Sequence, residues 1–202
     1  MKVYISVDME GISGVSSWED VNSKSATYQR YRLQMNKEAK AAIQGALDAG
    51  AKEIIVKDAH ATARNLFIED LPKEAKLING WSGSPMAMVQ ELDSSCDALV
   101  CIGYHSAANT SGNPLAHTMS SRKIYELKVN DELMSEFDLH AILASEIGVP
   151  VAFLSGDQAI CSHASKKLAS IKTFSTISGA GNSNISKSPI YLRIGKSGEK
   201  NL

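Results

Sequence analysis

The chain has 202 residues, 44% of them hydrophobic and 21% charged, which is typical of one globular domain and unlike disordered proteins. Its 21 Lys and Arg residues nearly balance its 22 Asp and Glu residues, and this net charge of −1 disfavours nucleic-acid binding. No apolar run approaches the ~20 residues that cross a bilayer, and the first residues do not resemble a signal peptide. We therefore predict a soluble, cytoplasmic protein with no membrane partner.

Predicted strands alternate with predicted helices along most of the chain. The predicted strands cover residues 2–8, 53–57, 77–78, 97–104, 123–130, 150–154 and 171–176. The predicted helices cover residues 36–49, 85–92, 133–147 and 156–168. Residues 12–35 show no clear period, and the Gly/Ser/Asn-rich stretch 178–188 supports no element. This order predicts an α/β fold with a mainly parallel sheet and flanking helices.

Acidic and imidazole side chains follow several of these strands. Asp8 and Glu10 come after the first strand, His60 after the second, His105 after a later buried strand, and His117 lies in the next loop. Ligands of open α/β sheets bind beyond the carboxyl ends of the strands. Carboxylates and imidazoles form the mixed oxygen and nitrogen donor set that zinc prefers. Taken singly each residue could be structural, but together they indicate a metal site at this edge.

Five motifs stand in order along the chain. They are VYISVDMEGISG at 3–14, VKDAH at 56–60, IGYHS at 102–106, AHTM at 116–119 and VNDELMSEFDLHA at 129–141. Together they resemble the D-aminopeptidase family of dinuclear zinc peptidases, over residues 1 to about 176. The resemblance implies two Zn²⁺ ions per chain and no other cofactor.

Site residues follow from the same resemblance. It implies that His117 is catalytic and that five side chains bind zinc, namely Asp8, Glu10, His60, His105 and Glu136. If Asp8 bridges the metals, each zinc has three protein bonds, and a bridging hydroxide completes the usual tetrahedral coordination. Such a hydroxide is a strong nucleophile near neutral pH.

The implied function is that of a zinc-dependent aminopeptidase. It would remove N-terminal amino acids, D-amino acids by the family's preference, from short peptides through the metal-bridging hydroxide. The family also implies a ring-like homo-oligomer. Two alternatives stay open: another dinuclear metallohydrolase such as a phosphoesterase, and a non-catalytic metal-binding assembly protein.

The division of the chain also follows from the resemblance. Residues 1–176 are expected to form the α/β metallopeptidase domain, and residues 177–202 a divergent or truncated C-terminal segment.

Several further residues are interpreted as structural. His140 is expected on a helix surface or interface, and His163 in a solvated or structural position. Asp157 is either a helix N-cap or an orienting residue, and Asp58 a buried anchor or a residue that orients a ligand. Three cysteines without C-x-x-C spacing are interpreted as small buried hydrophobic residues: Cys96, Cys101 and Cys161.

Overall fold

A computed structural model describes residues 1–179 and 186–187 of the chain. Its strands are β1 (Lys2–Val7), β2 (Glu53–Asp58), β3 (Ala75–Ile78), β4 (Ala98–Tyr104), β5 (Lys128–Val129), β6 (Glu132–Leu133), β7 (Val151–Asp157), β8 (Lys172–Gly179) and β9 (Ser186–Lys187). Its α-helices are α1 (Trp18–Val21), α2 (Tyr28–Asp48), α3 (Glu136–Ile147) and α4 (Gln158–Lys167).

One seven-stranded sheet organises the fold, with the strand order β3-β2-β1-β4-β7-β8-β9. The first six strands in this order run parallel, and β9 pairs antiparallel with β8. The chain moves outward from β1 to β3 and then returns to place β4 on the other side of β1. The gap between β1 and β4 is therefore a topological switch point, where ligands bind in such sheets. The predicted α/β class and mainly parallel sheet are confirmed.

Apolar side chains cover both faces of the sheet. Alternate β1 residues point to opposite faces, so Val3, Ile5 and Val7 pack with α2 whereas Tyr4 belongs to the opposite cluster. That second cluster receives Phe137 from α3 together with residues of α4. The sheet thus lies between helix layers, which leaves the ends of its strands available for a site.

Helix α2 begins eight residues before the predicted start. Its first two turns are tied to a distant loop, because the Tyr28 hydroxyl donates to Asn65 Oδ1 at 2.6 Å and Arg32 Nε donates to Asn65 O at 2.6 Å. Local hydrophobic periodicity cannot reveal these long-range hydrogen bonds, so the sequence did not predict the earlier start. The same polar stretch contains α1, which begins behind a capping box made by Ser17 and Asp20.

The helix predicted over residues 85–92 is wrong in extent, since only a 3-10 turn forms over Ala87–Val89. Two side chains of β1 donate to backbone carbonyls that would accept backbone hydrogen bonds in a longer helix. The Tyr4 hydroxyl donates to Gln90 O at 2.6 Å, and Ser6 Oγ donates to Met88 O at 2.8 Å. Tertiary hydrogen bonds therefore replace helical ones here.

The segment before α3 also differs from the prediction. In place of the strand predicted over residues 123–130, the structure has the short hairpin of β5 and β6. Asn130 and Asp131 in its turn have φ values of 51° and 65°. Helix α3 starts at Glu136 rather than at 133, because Ser135 and Asp138 form a capping box.

The predicted division at residue 176 falls within β8, which ends at Gly179. Beyond β8 the structure describes only β9, and the rest of the segment 177–202 lies outside the described residues. The division stays a prediction. Within the described ranges, no helix has both the length and the apolar character needed to cross a bilayer.

Candidate metal centre

Three neighbouring strands place four of the predicted site residues at one edge of the sheet. Asp8 and Glu10 follow β1, His60 follows β2, and His105 directly follows β4. Because β1 lies between β2 and β4, these side chains meet at the switch point. All four are buried.

Two glycines allow the ends of β1 and β4 to touch. The Gly11 N–H donates to Gly103 O at 2.8 Å, and a Cβ on Gly11 would lie 1.9 Å from Tyr104 O. Gly103 has a φ of +71°, and its Cβ would lie 2.3 Å from Asp8 O. Only glycine fits at either position, so backbone contact sets the spacing between the two strand ends.

The remaining two predicted residues come from outside the sheet. Glu136 is the first residue of α3, and His117 lies in the loop that follows β4. His117 Nε2 lies 3.5 Å from Glu136 Oε1, and His105 Nε2 lies 3.5 Å from Glu136 Oε2. The structure therefore brings all six predicted site residues together.

These side chains form two groups of three, in each of which the possible ligand atoms lie within 4.8 Å of one another. We call them the sheet group, Asp8, Glu10 and His60, and the loop group, His105, His117 and Glu136. Asp8 faces both groups, because its Oδ1 lies 3.4 Å from His60 Nδ1 and its Oδ2 lies 3.4 Å from His105 Nε2. This carboxylate could therefore bind two cations at once.

Backbone carbonyls orient all three imidazoles. The carbonyls that accept from the rings are Val21 O for His60 Nε2 at 2.9 Å, Ser106 O for His105 Nδ1 at 3.0 Å and Leu115 O for His117 Nδ1 at 2.9 Å. A carbonyl accepts only from a protonated ring nitrogen, so these bonds fix one N–H of each ring and turn its other nitrogen toward the carboxylates. Histidines that bind metal show this same support.

The buried charges of the site shift one another's pKa values. Burial would lower the pKa of His60, but Glu10 and Asp8 hold it well above its usual value. His105 behaves alike, since Glu136 and Asp8 outweigh burial and raise its pKa well above the usual range. Without a metal, both imidazoles are therefore held as cations between carboxylates.

The carboxylates divide into two kinds. Burial would raise the pKa of Glu136, but His105 lowers it to about 2, and His60 likewise lowers the pKa of Glu10 well below its usual value. The pKa of Asp8 is raised instead, by burial and by the charge of Glu10. Asp8 thus has the greatest need of an added positive charge.

The donor set fits zinc. Among the described residues, Asp8 Oδ2 and His105 Nε2 are buried atoms that make no hydrogen bond, and they face each other across the two groups. Buried polar atoms without hydrogen bonds are costly, and a cation between them would remove the cost. Carboxylate oxygens and imidazole nitrogens are ligands that zinc accepts at four-coordinate sites.

Asp157 holds the loop that carries His105 and His117. It caps α4 by accepting from the Ile160 N–H at 2.9 Å, as predicted, and it also accepts from the Ser106 N–H and Oγ, both at 2.6 Å. Asn113 Nδ2 donates to Asp157 at 3.1 Å and to Glu10 O at 3.2 Å. Sequence reasoning missed Asn113, for which no local pattern gives a signal.

A second network holds the end of β2. Asp58 accepts from the Leu66 N–H at 2.8 Å and from Asn65 Nδ2 at 2.7 Å, so it is the buried anchor that one interpretation expected. Asn65 Nδ2 also donates to His60 O at 2.8 Å. Asn65 was not predicted, because its role depends on contacts with α2 that are distant in sequence.

Other predicted side chains have mixed outcomes. The prediction for His140 is wrong, because α3 packs this face on the sheet and buries the ring, whose Nδ1 donates to Glu136 O at 2.5 Å. His163 lies on α4 and contacts Asp138 at 2.7 Å, which agrees with a structural role. All three cysteines are free and buried, as predicted: Cys96, Cys101 and Cys161.

The site opens into a cleft of about 1000 Å³. At its mouth the His117 ring stacks on His105, with centroids 4.2 Å apart and planes 9° apart, and meets the edge of Trp18 at 5.3 Å. The His117 side chain is 13% exposed, more than the other two imidazoles of the site, and it lines the cleft together with His60. The rings of His105 and Trp18 thus fix the orientation of the His117 ring.

Trp81 forms part of the cleft wall and rests on a buried lysine. Lys57 Nζ lies 4.1 Å from the centre of the Trp81 ring and donates to Gly80 O at 2.6 Å and to Asp58 O at 2.7 Å. Burial lowers the pKa of Lys57 to about 8, although Asp58 and Glu91 act in the opposite direction. Trp81 was not predicted as a cleft residue.

The chain is similar to D-aminopeptidases over most of its length. A family model described as D-aminopeptidase matches residues 1–193. A D-aminopeptidase of Bacillus subtilis is 37% identical over 175 residues, which are 86% of this chain and 62% of that protein's length. The chain thus spans less than two thirds of this curated relative.

A solved structure is also similar. It is described as the Zn-dependent D-aminopeptidase DppA from Bacillus subtilis, a self-compartmentalizing protease. The TM-score is 0.86 at 34% identity, and the match covers 94% of this chain and 68% of that one.

Proposed function

Because the chain belongs to the D-aminopeptidase family, we propose that it is a zinc-dependent aminopeptidase that removes N-terminal D-amino acids from short peptides. The observation that carries the proposal is the arrangement of the three imidazoles. Each donates one ring N–H to a backbone carbonyl and turns its other nitrogen toward a shared set of carboxylates. This arrangement suits metal binding.

We assign two zinc ions to the site, with Asp8 shared between them. Asp8, Glu10 and His60 would hold one ion, and Asp8, His105 and Glu136 the other. Bound zinc would supply Lewis acidity, which lowers the pKa of an attacking water and polarises the scissile carbonyl. The support for a shared Asp8 is that its two oxygens face different groups.

His117 is proposed as the catalytic residue. Its Nδ1 is held by Leu115 O, so Nε2, 3.5 Å from Glu136, is the atom that holds or moves a proton. That nitrogen faces the cleft, where it could protonate the leaving amine as the peptide bond breaks. The stacked His105 and the edge of Trp18 keep the ring in place during this transfer.

Assembly and location complete the proposal. We propose a ring-like homo-oligomer, on the support that the similar solved protein is described as self-compartmentalizing. We further propose residues 1–176 as the metallopeptidase domain, with 177–202 as a divergent C-terminal segment. A cytoplasmic location stays a prediction of the sequence.

A panel of three chromogenic substrates tests the activity. Zinc-loaded protein is incubated with D-Ala p-nitroanilide, L-Ala p-nitroanilide and p-nitrophenyl phosphate, and bound zinc is measured in the same samples. We expect hydrolysis of the D-Ala substrate and about two zinc ions per chain. Release from the phosphate ester alone would indicate a phosphoesterase instead. Two bound metals without any hydrolysis would indicate a non-catalytic metal-binding protein.

A further inference from the structure

One turn of the cleft wall presents polar groups that the protein itself does not use. Ser120, Ser121 and Arg122 line the same cleft as the metal centre, and Ser121 and Arg122 are exposed. Within the described ranges, none of these three side chains hydrogen-bonds or ion-pairs with another residue. The turn thus offers two hydroxyls and a guanidinium to whatever enters the cleft.

The charge of this turn contrasts with that of the cleft floor. The floor carries three carboxylates, Asp8, Glu10 and Glu136. Among the described cleft-lining residues, Arg122 supplies the only Lys or Arg charge, since Lys57 lies buried behind Trp81. With the carboxylates of the floor used as the proposed zinc ligands, Arg122 gives the cleft wall a positive charge.

We propose that the turn 120–122 binds the C-terminal carboxylate of a short peptide whose N-terminal residue lies at the metal centre. This inference rests on the proposed aminopeptidase function. A short peptide whose N-terminal residue lies at the metal centre ends in a carboxylate, whose charge is opposite to that of Arg122. The planar guanidinium can donate two parallel hydrogen bonds to a carboxylate, and nearby serine hydroxyls can add further donors.

Peptide length follows from this geometry. An extended chain advances about 3.3–3.6 Å per residue, so each added residue carries the carboxylate that much farther from the metal centre. Arg122 has a long side chain but a fixed attachment in the cleft wall. The contact should therefore depend on peptide length, and peptides that extend beyond the reach of Arg122 should lose it.

A pair of matched substrates tests the proposal. The dipeptide D-Ala-D-Ala carries a free carboxylate, whereas its C-terminal amide carries none and is otherwise the same. We expect the zinc-loaded protein to prefer the free acid by about tenfold in kcat/KM, mainly through KM, because tenfold corresponds to one charge-assisted contact. In Arg122→Gln this preference should disappear, and Arg122→Lys should restore part of it.

Lys123→Gln is the matched control. Lys123 is the exposed neighbouring cation and does not line the cleft, so its removal should leave the preference for the free acid intact. An equal loss in Lys123→Gln would show a general effect of charge and overturn the proposal. So would a wild-type protein that hydrolyses acid and amide equally well, a result that leaves the aminopeptidase function standing.

Failure of the function itself would look different. If neither dipeptide is hydrolysed, calorimetric titration of the zinc-loaded protein with the same two compounds measures binding alone. Tighter binding of the acid, lost in Arg122→Gln, supports the carboxylate site without the activity. Equal binding of both compounds, or no binding, overturns it.

Discussion

The sheet group and the loop group contain similar side chains but are built in different ways. Every member of the sheet group follows a strand, and all are buried. In the loop group only His105 follows a strand, while His117 comes from a loop and Glu136 from the start of a helix. The strands alone therefore position the sheet group. The loop group depends in addition on how a loop and a helix pack.

Exposure follows the same division. The ring of His117 reaches the cleft, and no member of the sheet group is as exposed. His117 is thus the most exposed side chain of the two groups, although all three members of the sheet group also line the cleft. Four predictions test this division, from the largest expected effect to the smallest.

Asp8→Asn should have the largest effect, because Asp8 faces both groups and keeps the raised pKa of a buried carboxylate that needs a cation. We expect zinc content to fall below one ion per chain and turnover to fall by more than about 10⁴-fold, since general acid catalysis alone contributes only about 10²–10⁴-fold. Metal analysis and the D-Ala p-nitroanilide assay measure both. Retention of two zinc ions would show that Asp8 does not join the groups.

His117→Ala should abolish most turnover and leave the metal in place. Loss of a proton-transferring residue costs about 10²–10⁴-fold, and the five remaining side chains still supply the proposed zinc ligands. The same two measurements serve, with His163→Ala as a control histidine outside the site. Loss of zinc together with turnover would make His117 a ligand, and the loop group a triad of ligands.

Removal of zinc by a chelator should destabilise the fold, and the loop group most. Occupancy at about 1,000 times the dissociation constant stabilises by ~4 kcal/mol, which corresponds to a midpoint shift of roughly 10 °C for a chain of this size. Calorimetry measures the shift. Hydrogen exchange should increase more around residues 116–120 than in β1, and a uniform increase would contradict the division between the groups.

Lys57→Met should change how stability depends on pH, because the pKa of Lys57 is lowered to about 8 by burial. Between about pH 8 and its usual value near 10.5, the folded chain binds fewer protons at this site than the unfolded chain, so the free energy of unfolding rises with pH.

The variant should lose about 1–2 kcal/mol of that rise between pH 8 and pH 9.5, as measured by urea unfolding. Lys73→Met, at a highly exposed lysine, is the control and should keep the wild-type slope. An unchanged slope in Lys57→Met would show that the pKa of this β2 lysine is not lowered in the folded chain.

Local sequence signals predicted the parts of the fold that depend on local periodicity. The strands β1, β2, β4 and β7 are short runs of buried apolar residues, and strand ends in a parallel sheet necessarily converge. That is why the sequence alone places Asp8, His60 and His105 at one edge of the sheet. Glu136 could not be expected in this way, and only family resemblance pointed to it, because the packing of α3 brings it to the site.

Most of the errors have a common cause in long-range contacts, whereas the start of α3 is set by the local capping box of Ser135 and Asp138. The start of α2 depends on Asn65 and the short turn at 87–89 on Tyr4 and Ser6. The burial of His140 depends on the docking of α3, in which its Nε2 accepts from the Met88 N–H. Each contact joins parts of the chain that no local pattern relates. The polar residues that hold the site, Asn65 and Asn113, were missed for the same reason.

The contact between Gly11 and Gly103 has a consequence for mutational tolerance. Backbone atoms, not side chains, set the distance between the ends of β1 and β4. Exchanges among apolar residues of similar volume on either face of the sheet should therefore preserve the spacing of Asp8 and His105. The two glycines do not tolerate substitution, since even one methyl group at either position would separate the two strand ends.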